Sequence, residues 1–339
     1  MFQIAFFVVA NGLALYQFGS TGQNALLIFF LICIALLTFF SVLITRLEKK
    51  GHKSAHELMA RTLTFWWMLS LFGIALVLHP SVLAALLACG SLLSLAEYHS
   101  LVFPEEKSLG KIVADPYFQF PALACIANYV LLYFGLENEF FAFSATFVGV
   151  LMPLFYVMKN QTSGKATSLS ALSLGFSFFA VLLPLSFAFY KLEAYAFLLI
   201  VFLTEIRDLI SYWVGKAFSK TPVNDTPLSR MVHKKVAAQV SPQKTWWVGV
   251  LSTFALLILG LPLSYSVFHL EGLGFFKIFL MIVTTGILGL YGDLAFSLIK
   301  RIHGQKDSGT WLPGGSGIID RIDALVFTVP VAYFILKFL

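Results

Sequence analysis

One stretch in the last fifth of the chain concentrates oxygen ligands and cations in the way phosphate chemistry requires. It opens at Gly292-Asp293 and carries Ser297, Lys300, Arg301, Lys306 and Asp307, then Pro313-Gly314-Gly315-Ser316-Gly317, then Asp320, Arg321 and Asp323. Asp293 has apolar neighbours on both sides. A carboxylate near membrane depth is costly to insert, so it is a functional candidate by default. The plainer alternative is an Asp near a helix end that pairs with Lys300. At helical spacing Asp293, Ser297, Lys300 and Arg301 share one face, which sets a hard oxygen ligand beside cations. Carboxylates holding magnesium neutralise phosphate oxygens, and Lys and Arg add charge-assisted hydrogen bonds; together they are the equipment for phosphoryl or nucleotidyl transfer. The glycine-rich turn lets backbone N–H groups, such as those of Gly314 and Gly317, approach a phosphate closely. Taken alone such a turn is more often only a turn. Its weight here comes from Lys306, Asp307, Asp320, Arg321 and Asp323 close by.

A second polar stretch runs from Asp208 to Trp247 and contains Ser241-Pro242-Gln243-Lys244-Thr245. Asp208 follows Glu205 and Arg207 in an apolar segment, which leaves two readings open: an internal ion pair that stabilises a helix bundle, or a metal ligand. His303 beside Gly304, and His233 beside Lys234 and Lys235, are single histidines without the spacing of a metal site and read as solvated loop residues. Glu97-Tyr98-His99 ends an apolar run and receives no assignment. Gly286, Gly289 and Gly292 recur on one helix face and read as packing positions that admit a neighbouring helix or the substrate. Cys33, Cys89 and Cys125 lie apart in apolar stretches and suit neither a metal nor a disulfide.

The elements that must position these groups are membrane helices. Of 339 residues 59% are hydrophobic and only 12% charged, with a mean hydropathy of +0.86, more apolar than a soluble domain needs to fill its core. A span takes about 20 apolar residues, and its backbone must pair internally, which makes it a helix. Apolar runs between charged breaks place spans at 2–18, 25–45, 63–80, 81–102, 118–136, 140–158, 168–190, 194–214, 246–266, 274–297 and 323–339. The expected fold is an all-α polytopic bundle of about nine to eleven membrane helices. Residues 1–190 form N-terminal membrane helices without an assigned role. Residues 191–339 form the catalytic region, with cytoplasmic loops at 215–245 and 300–323. The first apolar stretch has no basic flank and no small-residue cleavage site, so it reads as a helix and not as a removed leader.

Twenty of the 23 Lys and Arg fall in alternate connections, from Arg46–Arg61 through Lys300–Arg321, while Gln17–Asn24 and Glu137–Glu139 have none. The basic loops are therefore expected to face the cytoplasm, at the inner membrane of the cell. The net charge of +6 gathers on that face, where it suits anionic headgroups or phosphorylated substrates, with no nucleic acid expected. For Arg46–Arg61 the orientation bias alone is sufficient reason. No internal repeat points to a transporter built from two halves.

Three ordered motifs resemble those of the phosphatidate cytidylyltransferase (CDP-diacylglycerol synthase) family. The first is Asp208, Tyr212, Gly215 and Lys216, against the family's Asp-x-x-x-Tyr-x-x-Gly-Arg. The second is Ser241-Pro242-Gln243-Lys244-Thr245-Trp246, against Ser-Pro-Lys-Lys-Thr. The third is Gly292-Asp293-Leu294, then Ser297 to Arg301, Lys306-Asp307, Gly309, Leu312-Pro313-Gly314 and Gly317 to Asp323. The resemblance covers Asp208 to Asp323; the N-terminal half matches only in hydrophobic character. It departs at Gly315-Ser316-Gly317, where the family has His-Gly-Gly, and at Trp247-Val248, where it has Glu-Gly. These departures leave a divergent subfamily with an altered substrate, and an inactive relative, as alternatives.

The resemblance implies condensation of CTP with phosphatidic acid to CDP-diacylglycerol and pyrophosphate. It implies Mg2+, with a monovalent cation beside it, held by Asp293 and Asp320 with Asp323 or Asp208 as further ligands. Lys300, Arg301, Arg321 and Lys244 would hold the pyrophosphate and the incoming lipid phosphate. Ser241, Thr245, Ser297, Lys306, Asp307, Gly314 and Gly317 would complete the nucleotide site. A homodimer embedded in membrane lipid is also implied. The competing readings are a non-catalytic lipid transporter or scaffold on the same fold, and a CTP-dependent enzyme acting on another membrane lipid phosphate.

Overall fold

The computed structural model describes residues 2–20, 23–49, 55–105, 108–160, 168–218, 233–309, 311–312 and 317–339. Helices α1 Phe2–Ser20, α2 Asn24–Lys49, α3 Ala55–Leu78, α4 Pro80–Val102, α5 Leu109–Ala114 and α6 Pro116–Tyr133 come first. They are followed by α7 Glu137–Met158, α8 Leu169–Leu192 and α9 Ala194–Phe218. A hairpin of β1 Lys235–Ala237 and β2 Ser241–Thr245 precedes α10 Trp246–Ser266, α11 Phe275–Ile302, the single turn α12 Ile319–Ile322 and α13 Leu325–Phe338. Each of the eleven apolar runs read from the sequence overlaps a helix over most of its length, although 63–80 crosses the break at His79 and 118–136 runs past the helix end at Tyr133. Among the described residues six helices, α2, α4, α7, α8, α10 and α11, are long and apolar enough to cross a membrane. The protein is an all-α integral membrane protein, and the two-stranded hairpin is a local exception that the sequence reading lacked.

The chain divides into two compact units, Met1–Cys89 with Gly309–Gly317, and Gly90–Ser308 with Ile318–Leu339. In the first, α1 and α2 pack on α3. Gly73 admits the Phe30 ring, which lies 2.7 Å from where a Cβ would stand. Buried Asn11 donates to the Ser70 hydroxyl at 2.8 Å and to the Phe7 carbonyl at 2.8 Å.

In the second unit α11 packs against α9, α10 and α13, and α9 also packs against α10 and α13. The glycines of α11 set this arrangement, each toward a different neighbour. A Cβ on Gly286 would overlap Thr253 of α10. One on Gly289 would come within 2.7 Å of the Arg207 Nε of α9, and one on Gly292 within 2.6 Å of the Asp323 carbonyl. In α8 the π-helical stretch Ser177–Leu182 runs up to Pro184, whose missing N–H leaves the Ala180 carbonyl without its helical donor. Buried Asn128 of α6 fills that role, its Nδ2 donating to Ala180 O at 2.6 Å. In lipid an unsatisfied carbonyl costs several kcal/mol, so this bond ties α6 to α8.

Candidate active site

Part of the polar set singled out in the sequence is brought together by α9, α11, α12 and the start of α10. The run Ser241 to Thr245 is strand β2, paired antiparallel with β1 through Lys235 opposite Thr245 and Ala237 opposite Ser241. Its last residue, Thr245, is the N-cap of α10: extended in backbone, it accepts a hydrogen bond from the Val248 N–H on its side chain at 3.4 Å. A strand that ends in a cap fixes the residue before the cap, and so Lys244 is delivered to α11, where its Nζ pairs with Asp293 Oδ2. Burial lowers the Lys244 ammonium from the usual lysine range to about 8; Arg207 and Lys300 push the same way, while Asp323 and Asp208 oppose them.

One turn below Asp293, Ser297 Oγ donates to Asp293 Oδ1 at 3.5 Å. Lys300 does not pair with Asp293, the alternative left open by the sequence. Its Nζ reaches Asp320 Oδ1 on α12 at 2.6 Å, and the Ser308 N–H donates to the other oxygen at 3.3 Å. The pair is mostly buried, with side chains 12% and 15% exposed. Asp323 is buried behind it and accepts the Ala324 N–H at 2.7 Å. On α9, buried Arg207 pairs with Asp208 beside it, whose side chain is 45% exposed.

Other residues of the set differ in exposure. Arg301 is exposed and donates to the Gln305 carbonyl at 3.4 Å. Lys306 and Asp307 are exposed, Ser241 is half-buried, Arg321 is half-buried and Gly317 is buried. Gly314, with the rest of 313–316, lies outside the described residues. His303 contacts the Ile299 carbonyl at 2.9 Å, a helix-end contact.

Sequence reasoning missed Glu97. It is fully buried near the end of α4, and its Oε2 accepts the Ile318 N–H at 2.6 Å and the Ile319 N–H at 3.2 Å. The available signal was a lone acid in an apolar run, the pattern that marks functional positions in membrane helices. Two residues on, His99 pairs with Asp115, the N-cap of α6, at 2.8 Å, which fixes the end of α4.

Aspartate oxygens from α9, α11 and α12, the hard-ligand type that a divalent cation takes, stand beside Lys244, which pairs with Asp293 and lies within electrostatic reach of Asp208 and Asp323. Among the described residues no three acidic, His or Cys side chains converge closely enough to hold an ion unaided. Two lysine–aspartate pairs beside further carboxylates fit a site in which phosphate oxygens complete the ion's coordination.

Residues 59–339 match the model of the cytidylyltransferase family. The chain belongs to that family. Family membership places it among the membrane transferases of phospholipid synthesis. It is 30% identical over 305 residues to the uncharacterized protein YnbB of Escherichia coli (strain K12), covering 86% of this chain and 90% of that one. It is 31% identical over 215 residues to the phosphatidate cytidylyltransferase of Aquifex aeolicus, covering 59% of this chain and 73% of that one. With the phosphatidate cytidylyltransferase of Bacillus subtilis the identity is 33% over 139 residues, which is 38% of this chain and 42% of the relative.

Proposed function

We propose that this cytidylyltransferase condenses CTP with phosphatidic acid, giving CDP-diacylglycerol and pyrophosphate. The observation that carries the reading is the pairing of two lysines with two aspartates, Lys244 with Asp293 and Lys300 with Asp320, drawn from the second and third motifs. Such pairs store cations and carboxylates in mutual neutralisation; an incoming polyphosphate takes the lysines and releases the carboxylates to a metal ion. Asp293 and Asp320, with Asp323 or Asp208, would hold Mg2+, which when bound neutralises phosphate oxygens.

The nucleophile is a phosphate oxygen of the lipid, whose second pKa of about 6 leaves it largely ionised at neutral pH. It forms a bond to the α-phosphorus of CTP as the bond to the bridging oxygen of pyrophosphate breaks. No proton has to be removed, so no general base is needed, and the absence of the family's usual His at position 315 costs little. Lys300 and Lys244 orient the phosphates, and catalysis consists of alignment and charge neutralisation. The site is proposed to face the cytoplasm at the inner membrane, where CTP is available.

Purified protein in liposomes, given labelled CTP, magnesium and phosphatidic acid, is expected to move label into the lipid phase. Asp293→Asn and Asp320→Asn should each lower that rate by about 100-fold or more. Folded wild-type protein that labels no phosphatidic acid but labels another lipid phosphate would reassign the substrate. No labelling of any would favour the non-catalytic reading.

A further inference from the structure

Among the described residues the proposed chemistry leaves the fully buried carboxylate of Glu97 unused. Glu97 lies outside the three motifs, 221 residues from its partner Ile318. Both hydrogen bonds that it accepts from main-chain N–H groups, Ile318 at 2.6 Å and Ile319 at 3.2 Å, fall on Oε2. The buried Ser308 side chain lies close to the same carboxylate, although neither its Oγ nor Glu97 Oε1 completes a hydrogen bond. Ser308 also donates its N–H to Asp320 Oδ2 at 3.3 Å. Glu97 thus stands beside both residues that flank 309–317, and each flank also holds Asp320, one by chain continuity and one by hydrogen bond.

We infer that Glu97 is a positioning residue for Asp320. A carboxylate buried in a membrane helix is expensive unless its oxygens find donors, and here the N–H groups of Ile318 and Ile319, just before Asp320, satisfy Oε2. Held at Ile318 and Ile319, the backbone presents Asp320 to Lys300. The N-terminal half of the chain therefore contributes to the site through α4. The inference rests on reading Asp320 as part of the transferase site, and its test has an arm independent of turnover.

Wild type, Glu97→Gln, Glu97→Asp and Glu97→Leu are compared by hydrogen–deuterium exchange in detergent without substrate, following 318–324. The Leu variant should exchange the Ile318 and Ile319 amides roughly tenfold faster or more. The Asp variant, which keeps the charge on a shorter arm, should shift the same way and stands in if the Leu variant does not fold. The Gln variant retains a carbonyl acceptor and should stay near wild type. In turnover with labelled CTP and phosphatidic acid, the Leu and Asp variants should lose about 100-fold in kcat, and the Gln variant less than about tenfold. Unchanged exchange at 318–319 in folded Leu or Asp variants overturns the inference, as does a Gln variant as impaired as Leu. Wild type without turnover sinks the transferase reading instead, while the exchange comparison still decides the role of Glu97.

Discussion

Asp320 draws on three groups at once: the Lys300 ammonium, the Ser308 N–H, and through Ile318 and Ile319 the Glu97 carboxylate. Breaking a mostly buried ion pair from one side leaves an uncompensated charge, whereas removing both charges is often close to neutral. Lys300→Met is therefore expected to destabilise the protein by about 3 kcal/mol. The double variant Lys300→Met/Asp320→Leu should recover most of that loss while remaining inactive. Thermal unfolding in detergent checks this; a double variant no more stable than the single one would mean that the pair is not the source of the loss. At this scale the sequence revealed the inventory of charges but not the partners. Asp293, Lys244, Lys300 and Asp320 were all singled out, yet Lys300 lies on the Asp293 face and still pairs elsewhere. The side chain follows the nearest uncompensated carboxylate, and helix spacing alone does not say which one that is.

Among the elements, α11 organises the site, because it carries Asp293, Ser297 and Lys300 and its glycines admit α10, Arg207 and the Asp323 backbone. Gly289→Ala would drive a methyl into the Arg207 guanidinium, within 2.7 Å of Nε. Overpacking of this kind costs about 1–3 kcal/mol. Gly272→Ala, where nothing lies within 4 Å, is the matched control and should leave unfolding unchanged. Equal melting of the two variants would show that α9 and α11 tolerate separation. The eleven apolar runs were legible as helices because lipid enforces apolar length and internal backbone pairing. The hairpin at 235–245 was not, since two strands of three and five residues are too short for alternation to stand out. The Ser-Pro-Gln-Lys-Thr run stood out in the sequence as a motif only. Its physical role, a strand that ends in a helix cap, needed the structure.

For the whole molecule the bias of Lys and Arg toward alternate connections sets an expected orientation, with Lys306 and the other basic loop residues in the cytoplasm. With Cys33, Cys89 and Cys125 replaced, Lys306→Cys should react with a membrane-impermeant maleimide in inverted vesicles and not in intact cells. The reverse pattern would place the site on the other face and remove it from the CTP pool. The exposed position of Lys306 makes the label accessible without disturbing the ion pairs.

Composition and periodicity by themselves determined that this is a helical membrane protein, and three short motifs determined its family, because both depend on local residue order. Tertiary structure alone decided which lysine meets which aspartate, that Arg207 fills the space left at Gly289, and that Glu97 of the N-terminal half grips the Asp320 segment. Those pairings join residues far apart in the chain. They are fixed by how closely helices pack and by the demand that each buried charge or N–H find a partner, a condition that acts on the assembled bundle and leaves little trace in sequence spacing.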